Sequence, residues 1–227
     1  MIIQPITGPQ LASDGNIAAA ARGGKQGELM VSELHGRFYE QAYRGNVFYG
    51  GGTAVQAITN ATFTIATTGA TATPILGLWN PLSNNVNCVI LQACLVTILT
   101  ALQETGPGPY VWASSLGNNA ITTGATPTNA KTLQASGSNA KVFGNGAALT
   151  GMTGTLAAIR GSSLPTIMSN LSTLQTAAGL QMASPGGVEN FDGCFQVPPG
   201  GVIALLGSGT PVAVSCAGTL TWEEVPV

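Results

Sequence analysis

DGCFQVPPGGVIALLGSGTPVAVSCAGTLTWEEVPV, residues Asp192–Val227, is the stretch that decides the fold class. Gly193–Val197, Val202–Leu206, Pro211–Cys216 and Thr219–Val225 are short runs rich in Val, Leu, Thr and aromatic residues. Between them stand Pro198-Pro199-Gly200-Gly201, Gly207-Ser208-Gly209 and Ala217-Gly218, with Asp192-Gly193 ahead of the first. Short β-prone runs punctuated by Gly, Pro and Asp clusters read as antiparallel strands joined by tight turns.

The same pattern extends upstream to Asn46. Asn46–Tyr49, Thr53–Ile58, Thr62–Thr67, Ile75–Trp79 and Tyr110–Ala113 are further candidate strands. Asn87–Leu102 is long and apolar at both parities, with Cys88, Ile90, Cys94, Val96 and Ile98 on one side. Val89, Leu91, Ala93, Leu95 and Leu99 take the other, so a neighbouring subunit is expected to supply a second covering layer. Gly106-Pro107-Gly108-Pro109 is expected to turn the chain back. Residues 115–165 are Gly, Asn, Thr, Ser and Ala with few large side chains. They read as a long irregular insertion that cannot build its own core, resting on the sandwich or reaching neighbours. In Leu164–Leu180 the apolar residues recur at three and four, which predicts a helix ended by Gly179. The sum is an all-β, jelly-roll-like antiparallel sandwich over 46–227 with an extended N-terminal arm, 1–45.

The arm is punctuated by Pro5, Gly8, Pro9, Gly15, Gly23, Gly24 and Gly27. Four of the seven basic residues of the whole chain lie in it, Arg22, Lys25, Arg37 and Arg44, interleaved with Glu28, Glu33 and Glu40. Glu28–Arg44 is open between two strands and a short helix interrupted by Gly36. Its large side chains need a surface to lie on, and a neighbour's is the expected one. Arg22, Lys25, His35, Arg37, Phe38, Tyr39, Tyr43 and Arg44 are therefore the expected interface residues.

Only 7% of the 227 residues are charged, against roughly 25% in an average domain. Interface cores are depleted in charge, so much of the exterior is expected to lie against other subunits. A net charge of −2 argues against a basic face for nucleic acid. Val86–Leu102 is too short and too interrupted by Asn87, Gln92, Thr97 and Thr100 for a membrane helix. Met1-Ile2-Ile3-Gln4-Pro5 lacks the basic start of a secretory leader, so synthesis in the cytoplasm is expected. Cys88 and Cys94, on one face of a straight strand, would stand roughly 20 Å apart, too far to bridge. Cys194 and Cys216 could meet only across neighbouring strands. Four buried free thiols are the default in a reducing compartment.

Chemistry-bearing motifs are sparse. The lone histidine, His35, would have to be the base of any Ser-His-Asp site, from a loosely organised segment. One His and scattered Cys do not make a zinc set. Gly50-Gly51-Gly52-Thr53 and Gly144-Asn145-Gly146 lack the Lys-Ser/Thr ending of a phosphate loop and read as turns. No cofactor or metal is expected. Carboxylates such as Glu189, Glu223 and Glu224 leave glycoside cleavage as a minority reading.

Two stretches resemble proteins of tailed-phage virions. GELMVSELHGRFYEQAYRGNVF (Gly27–Phe48) looks like the N-terminal segment of such virion proteins. Val197–Leu205 together with Leu220–Val227 resembles the closing strands of jelly-roll capsid decoration, or cement, proteins. The resemblance implies a non-enzymatic homotrimer on the capsid surface, made in the host cytoplasm, clamping the major capsid protein. The alternative within the same setting is a trimeric head-fibre or tail module that binds a host-surface glycan.

Overall fold

The computed structural model describes residues 38–57, 66–68, 74–99, 110–117, 120–122, 124–135, 137–144, 149, 151–152, 154–164, 186–207 and 214–227. Packing divides the chain into two units, Met1–Glu40 and Gln41–Val227. A six-residue helix, α1 (Tyr39–Arg44), precedes the first strand. The expected helix beyond Leu164 and the Gly106–Pro109 turn lie outside the described residues.

The strands of the second unit form two antiparallel sheets. In chain order they are β1 (Val47–Ala57), β2 (Ala66–Thr68), β3 (Leu76–Trp79), β4 (Val86–Leu99), β5 (Tyr110–Ser115) and β6 (Thr128–Asn129). There follow β7 (Lys141–Gly144), β8 (Thr155–Gly161), β9 (Gly187–Val197), β10 (Val202–Gly207) and β11 (Val214–Pro226). One sheet runs β6-β1-β11-β4-β9, the other β2-β8-β5-β10-β3-β7. The all-β sandwich expected from the turn pattern is present.

A core of large residues lies between the sheets. Trp222, Leu220, Phe48, Ile90, Leu95 and Phe191 come from the first sheet, and Trp112, Tyr110, Leu76, Leu78, Ile203 and Leu205 from the second. Trp112 meets Phe191 edge-on at 5.1 Å and 88°, an arrangement aromatic quadrupoles favour.

Several glycines lie inside strands and not at their ends. Gly50-Gly51-Gly52 is not a turn but the middle of β1, and Ala217-Gly218 lies inside β11, which replaces two expected strands. These glycines serve close approach instead. A Cβ on Gly51 (φ +153°) would stand 2.2 Å from the Gly218 carbonyl oxygen across the ladder. Side chains there would force β1 and β11 apart.

β4 corrects a second expectation. Leu91 has no partner on either neighbour: Ile90 pairs Trp222 and Phe195, and Gln92 pairs Thr221 and Asn190. This bulge resets the alternation. Cys88 and Ile90 before it, and Ala93 and Leu95 after it, are all buried. Val89, Gln92, Cys94 and Val96 are only partly buried on the other face. The strand is thus apolar at both parities because its register slips. Cys88 and Cys94 fall on opposite faces for the same reason.

The strand that is buried on both faces is β10, VIALLG. Ile203 and Leu205 enter the core between the sheets. Val202, Ala204 and Leu206 point the other way, into a second cluster with Ala113, Phe143, Ile121, Leu149, Met152 and Leu156. All of these partners but Ala113 come from the stretch expected to be an irregular insertion. That stretch instead supplies β6, β7 and β8 and a covering layer for β10. Its few large residues suffice because they close one face of a sheet rather than build a separate core.

Asn80, fully buried, ties the end of β3 to two other segments. Its Nδ2 donates to the carbonyls of Val86 (2.8 Å) and Val197 (2.9 Å), and its Oδ1 accepts from Asn84 Nδ2 at 2.8 Å. Its backbone bonds Gly200 and Gly201 in the β9–β10 turn. Asn80→Ala strands these carbonyls and is expected to cost about 2–3 kcal/mol in urea unfolding. Asn190→Ala, which removes only the exposed bond from Gln92 Nε2, should stay within about 0.5 kcal/mol. Equal losses in the two variants would contradict this account.

Candidate functional site at the open edge of the sandwich

The sandwich opens where β9, the outermost strand of its sheet among the described residues, faces β8 and β5 of the other. Two departures from regular strand geometry shape this edge. Within β9, Asp192 (φ +52°) and Gly193 (φ +83°) are both left-handed, the signature of a primed turn at Asp-Gly. The turn expected at Asp192-Gly193 is real, but it kinks a strand that extends back to Gly187. On β8, Ile159 is a bulge residue: Trp112 pairs Arg160 and Ala113 pairs Ala158. Past β5, Leu116 stands 73% exposed.

Glu189 points inward from β9 and is 2% exposed. Its Oε2 accepts from the indole Nε1 of Trp112 at 2.9 Å and from Ser162 Oγ at 2.6 Å. Oε1 accepts no hydrogen bond among the described residues and faces Arg160 Nη2 at 3.5 Å. The guanidinium lies 5.7 Å from the ring centre of Phe191 and 5.9 Å from that of Phe195. One carboxylate thereby fastens the two sheets together at their mouth. An inward-pointing charge and a kink are also the devices that keep an edge strand from pairing with a foreign strand.

Beside this cluster is an open groove of about 210 Å³. Ser114 and Ile203 line it from one sheet and Phe195 and Val197 from the other, with Ile159, Leu116 and Cys194 at the rim. No side chain lining the groove is charged. Its lining is neutral, apolar through Leu116, Ile159, Phe195 and Val197 and polar through Ser114, Cys194 and Gln196.

The expected interface residues are distributed differently. Arg22, Lys25, His35 and Arg37 lie outside the described residues. Phe38 is partly buried and Arg44 exposed, while Tyr39 and Tyr43 are 45% and 62% exposed. Lys131 Nζ sits 5.0 Å over the Tyr43 ring. Arg160, Glu189 and the groove were not among the expected interface residues. The sequence signals were the Asp-Gly pair that kinks β9 and Glu189, which was read only as a carboxylate for glycoside cleavage.

All four cysteines are free thiols, but their burial differs from the default. Cys88 and Cys216 are buried, Cys94 is partly buried and Cys194 is exposed. Cys194 and Cys216 lie on β9 and β11, which are separated by β4, so they do not face each other across a ladder. Burial pushes the Cys216 thiol up to about 11. Cys88 rises well above the usual thiol range through burial, reinforced by the charge of Glu224. At Glu224 itself, burial raises the carboxyl, while the hydrogen bond from Ser138 Oγ pulls the other way. Burial raises Glu223 too.

Comparison of the chain with family models, curated proteins and solved structures finds no match.

Two outcomes are expected. Glu189→Leu leaves the Trp112 N–H and the Ser162 hydroxyl without their acceptor and should lower stability by about 2–3 kcal/mol in urea titration. Glu189→Gln keeps an acceptor and should cost less; the reverse ranking would exclude the tie between the sheets. For Glu224, a folded-state pKa above the unfolded value of about 4.3 means the folded form holds its proton longer. Its contribution to stability is therefore full at and below that pH and is lost as pH rises through the raised folded value. The drop in unfolding midpoint between pH 4.5 and 7 should shrink in Glu224→Gln, and an unchanged drop would refute the assignment.

Proposed function

We propose that the chain is a non-enzymatic structural subunit of a virion, a trimeric jelly-roll protein that decorates and cements the major capsid shell. The observation that carries this reading is the surface. Leu82, Leu116, Leu133, Ile159 and Val188 are all 47% exposed or more on a chain with 7% charged residues. A surface that spends so little charge and so much apolar area suits a subunit that spends its working life against other chains.

The strand order supports the jelly-roll part of the reading. The main strands β1, β11, β4 and β9 form one four-strand layer, and β3, β10, β5 and β8 the other. From β1 to β11 the chain crosses from sheet to sheet at every main step except β5 to β8, so the first and last strands lie side by side. That is the wiring of paired Greek keys. Such a sandwich offers a rigid body, and the N-terminal segment carrying Arg22, Lys25, His35 and Arg37 is the part assigned to gripping a neighbour.

Quantitative mass spectrometry of particles purified from the producing host tests the proposal. Hundreds of copies per particle, in fixed ratio to the shell protein, are expected. Absence from particles overturns the proposal. A handful of copies overturns the cement role in favour of a fibre or tail module.

A further inference from the structure

Just before β7 the chain crosses the surface as a short strap, Gly137–Ala140. Gly137 and Asn139 are exposed, while Ser138 and Ala140 are buried. Ser138 Oγ donates to Oε1 of Glu224 on β11 and accepts the backbone N–H of Ala140 at 3.0 Å. One hydroxyl thereby ties the strap to the sheet and holds its own chain in place. Beneath it lies Phe48: a Cβ on Gly137 would stand 3.8 Å from Phe48 Cε1, and the Phe48 ring stacks on Trp222 at 6.2 Å. Ala140, Phe48, Trp222 and Cys88 belong to one core cluster.

The carboxyl that receives this tie has no opposing charge. Directly across the ladder stands Cys88, a buried thiol. Glu223, the preceding residue of β11, takes the other face of the strand, opposite Val47. The cations that flank the strap are engaged elsewhere. Lys131 Nζ sits 5.0 Å over the Tyr43 ring, and Lys141 Nζ lies 3.3 Å from Thr126 Oγ1. Among the described residues Glu224 has no ion pair. A carboxyl held out of water without a counter-ion is penalised in its charged form, and one hydroxyl donor offsets only part of that penalty.

We propose that the Ser138–Glu224 bond is a pH-operated latch, which holds the strap down in mild acid and lets it lift toward neutral pH. With the strap lifted, the carboxyl meets water and titrates near its ordinary value. The closed form therefore binds the proton more tightly, and protonation favours closure. Lifting is rarest below about pH 4.3, grows as pH climbs through the raised value of the closed form, and then levels off. It bares the edge of Phe48 while the two sheets stay paired, so apolar surface becomes available without unfolding.

Amide hydrogen exchange of the full chain, followed by NMR and corrected for the intrinsic rate at each pH, tests the latch through the Ala140 N–H. Its opening constant should rise by about 3-fold or more between pH 4.5 and 7. Low urea should barely change it, the mark of a local opening, whereas the amide of Ala93 in the middle of the first sheet should respond steeply. Glu224→Gln keeps an acceptor for Ser138 and should flatten the pH response. Glu223→Gln should leave it intact. An opening constant that does not rise in the parent would overturn the latch. So would a rise that survives in Glu224→Gln or vanishes in Glu223→Gln. A urea response at Ala140 as steep as that of Ala93 would also overturn it, by placing the release in global unfolding.

Discussion

The constraint on which the rest of the structure depends is the burial of β10 from both sides. A sandwich strand normally shows one face to the core and one to water, and its sequence alternates accordingly. Val202–Gly207 has no polar side chain to show, so its outer face must be roofed. That demand explains why the stretch between β5 and β9 folds back onto the sheet. Ile121, Leu149, Met152 and Leu156 form the roof with Phe143, and the Gly, Thr and Asn between them supply connections. A polar residue in place of Ala204 would unsettle two layers at once.

Where the layers meet their rims, fastening passes from apolar contact to a few buried polar groups. Asn80 closes one end by binding carbonyls of two separate segments, and Glu189 closes the open edge by accepting donors from the opposite sheet. Both are nearly water-free positions. Hydrogen bonds there are held at full strength, and the loss of either partner is costly. Rigidity at the rims suits a surface groove that must keep its shape between the sheets.

The fold class was legible because turn chemistry is local: Pro198-Pro199-Gly200-Gly201 and Asp192-Gly193 both make the turns their residues favour. Strand continuity was not legible, because a glycine that ends a strand and one that admits a neighbouring backbone look alike in sequence. Gly51 and Gly218 are of the second kind, and only the ladder between them reveals it. The slip at Leu91 left one trace: Asn87 and Gln92 stand an odd five residues apart, yet both lie on the partly buried face. Two polar residues in a mostly apolar run were too little to reveal it. The open-edge cluster draws Glu189, Trp112, Ser162 and Arg160 from three strands and a loop, so no spacing along the chain announces it.

The position of β11 has a consequence for how the protein comes into being. It is the latest of the described strands, yet it occupies the centre of its sheet, hydrogen-bonded to β1 on one side and β4 on the other. During synthesis those two strands emerge long before the partner that joins them, each with an unsatisfied inner border. Contacts so distant along the chain are slow to form and leave newly made molecules prone to mispairing. The late closing of these two borders is therefore expected to limit the yield of correctly folded chains.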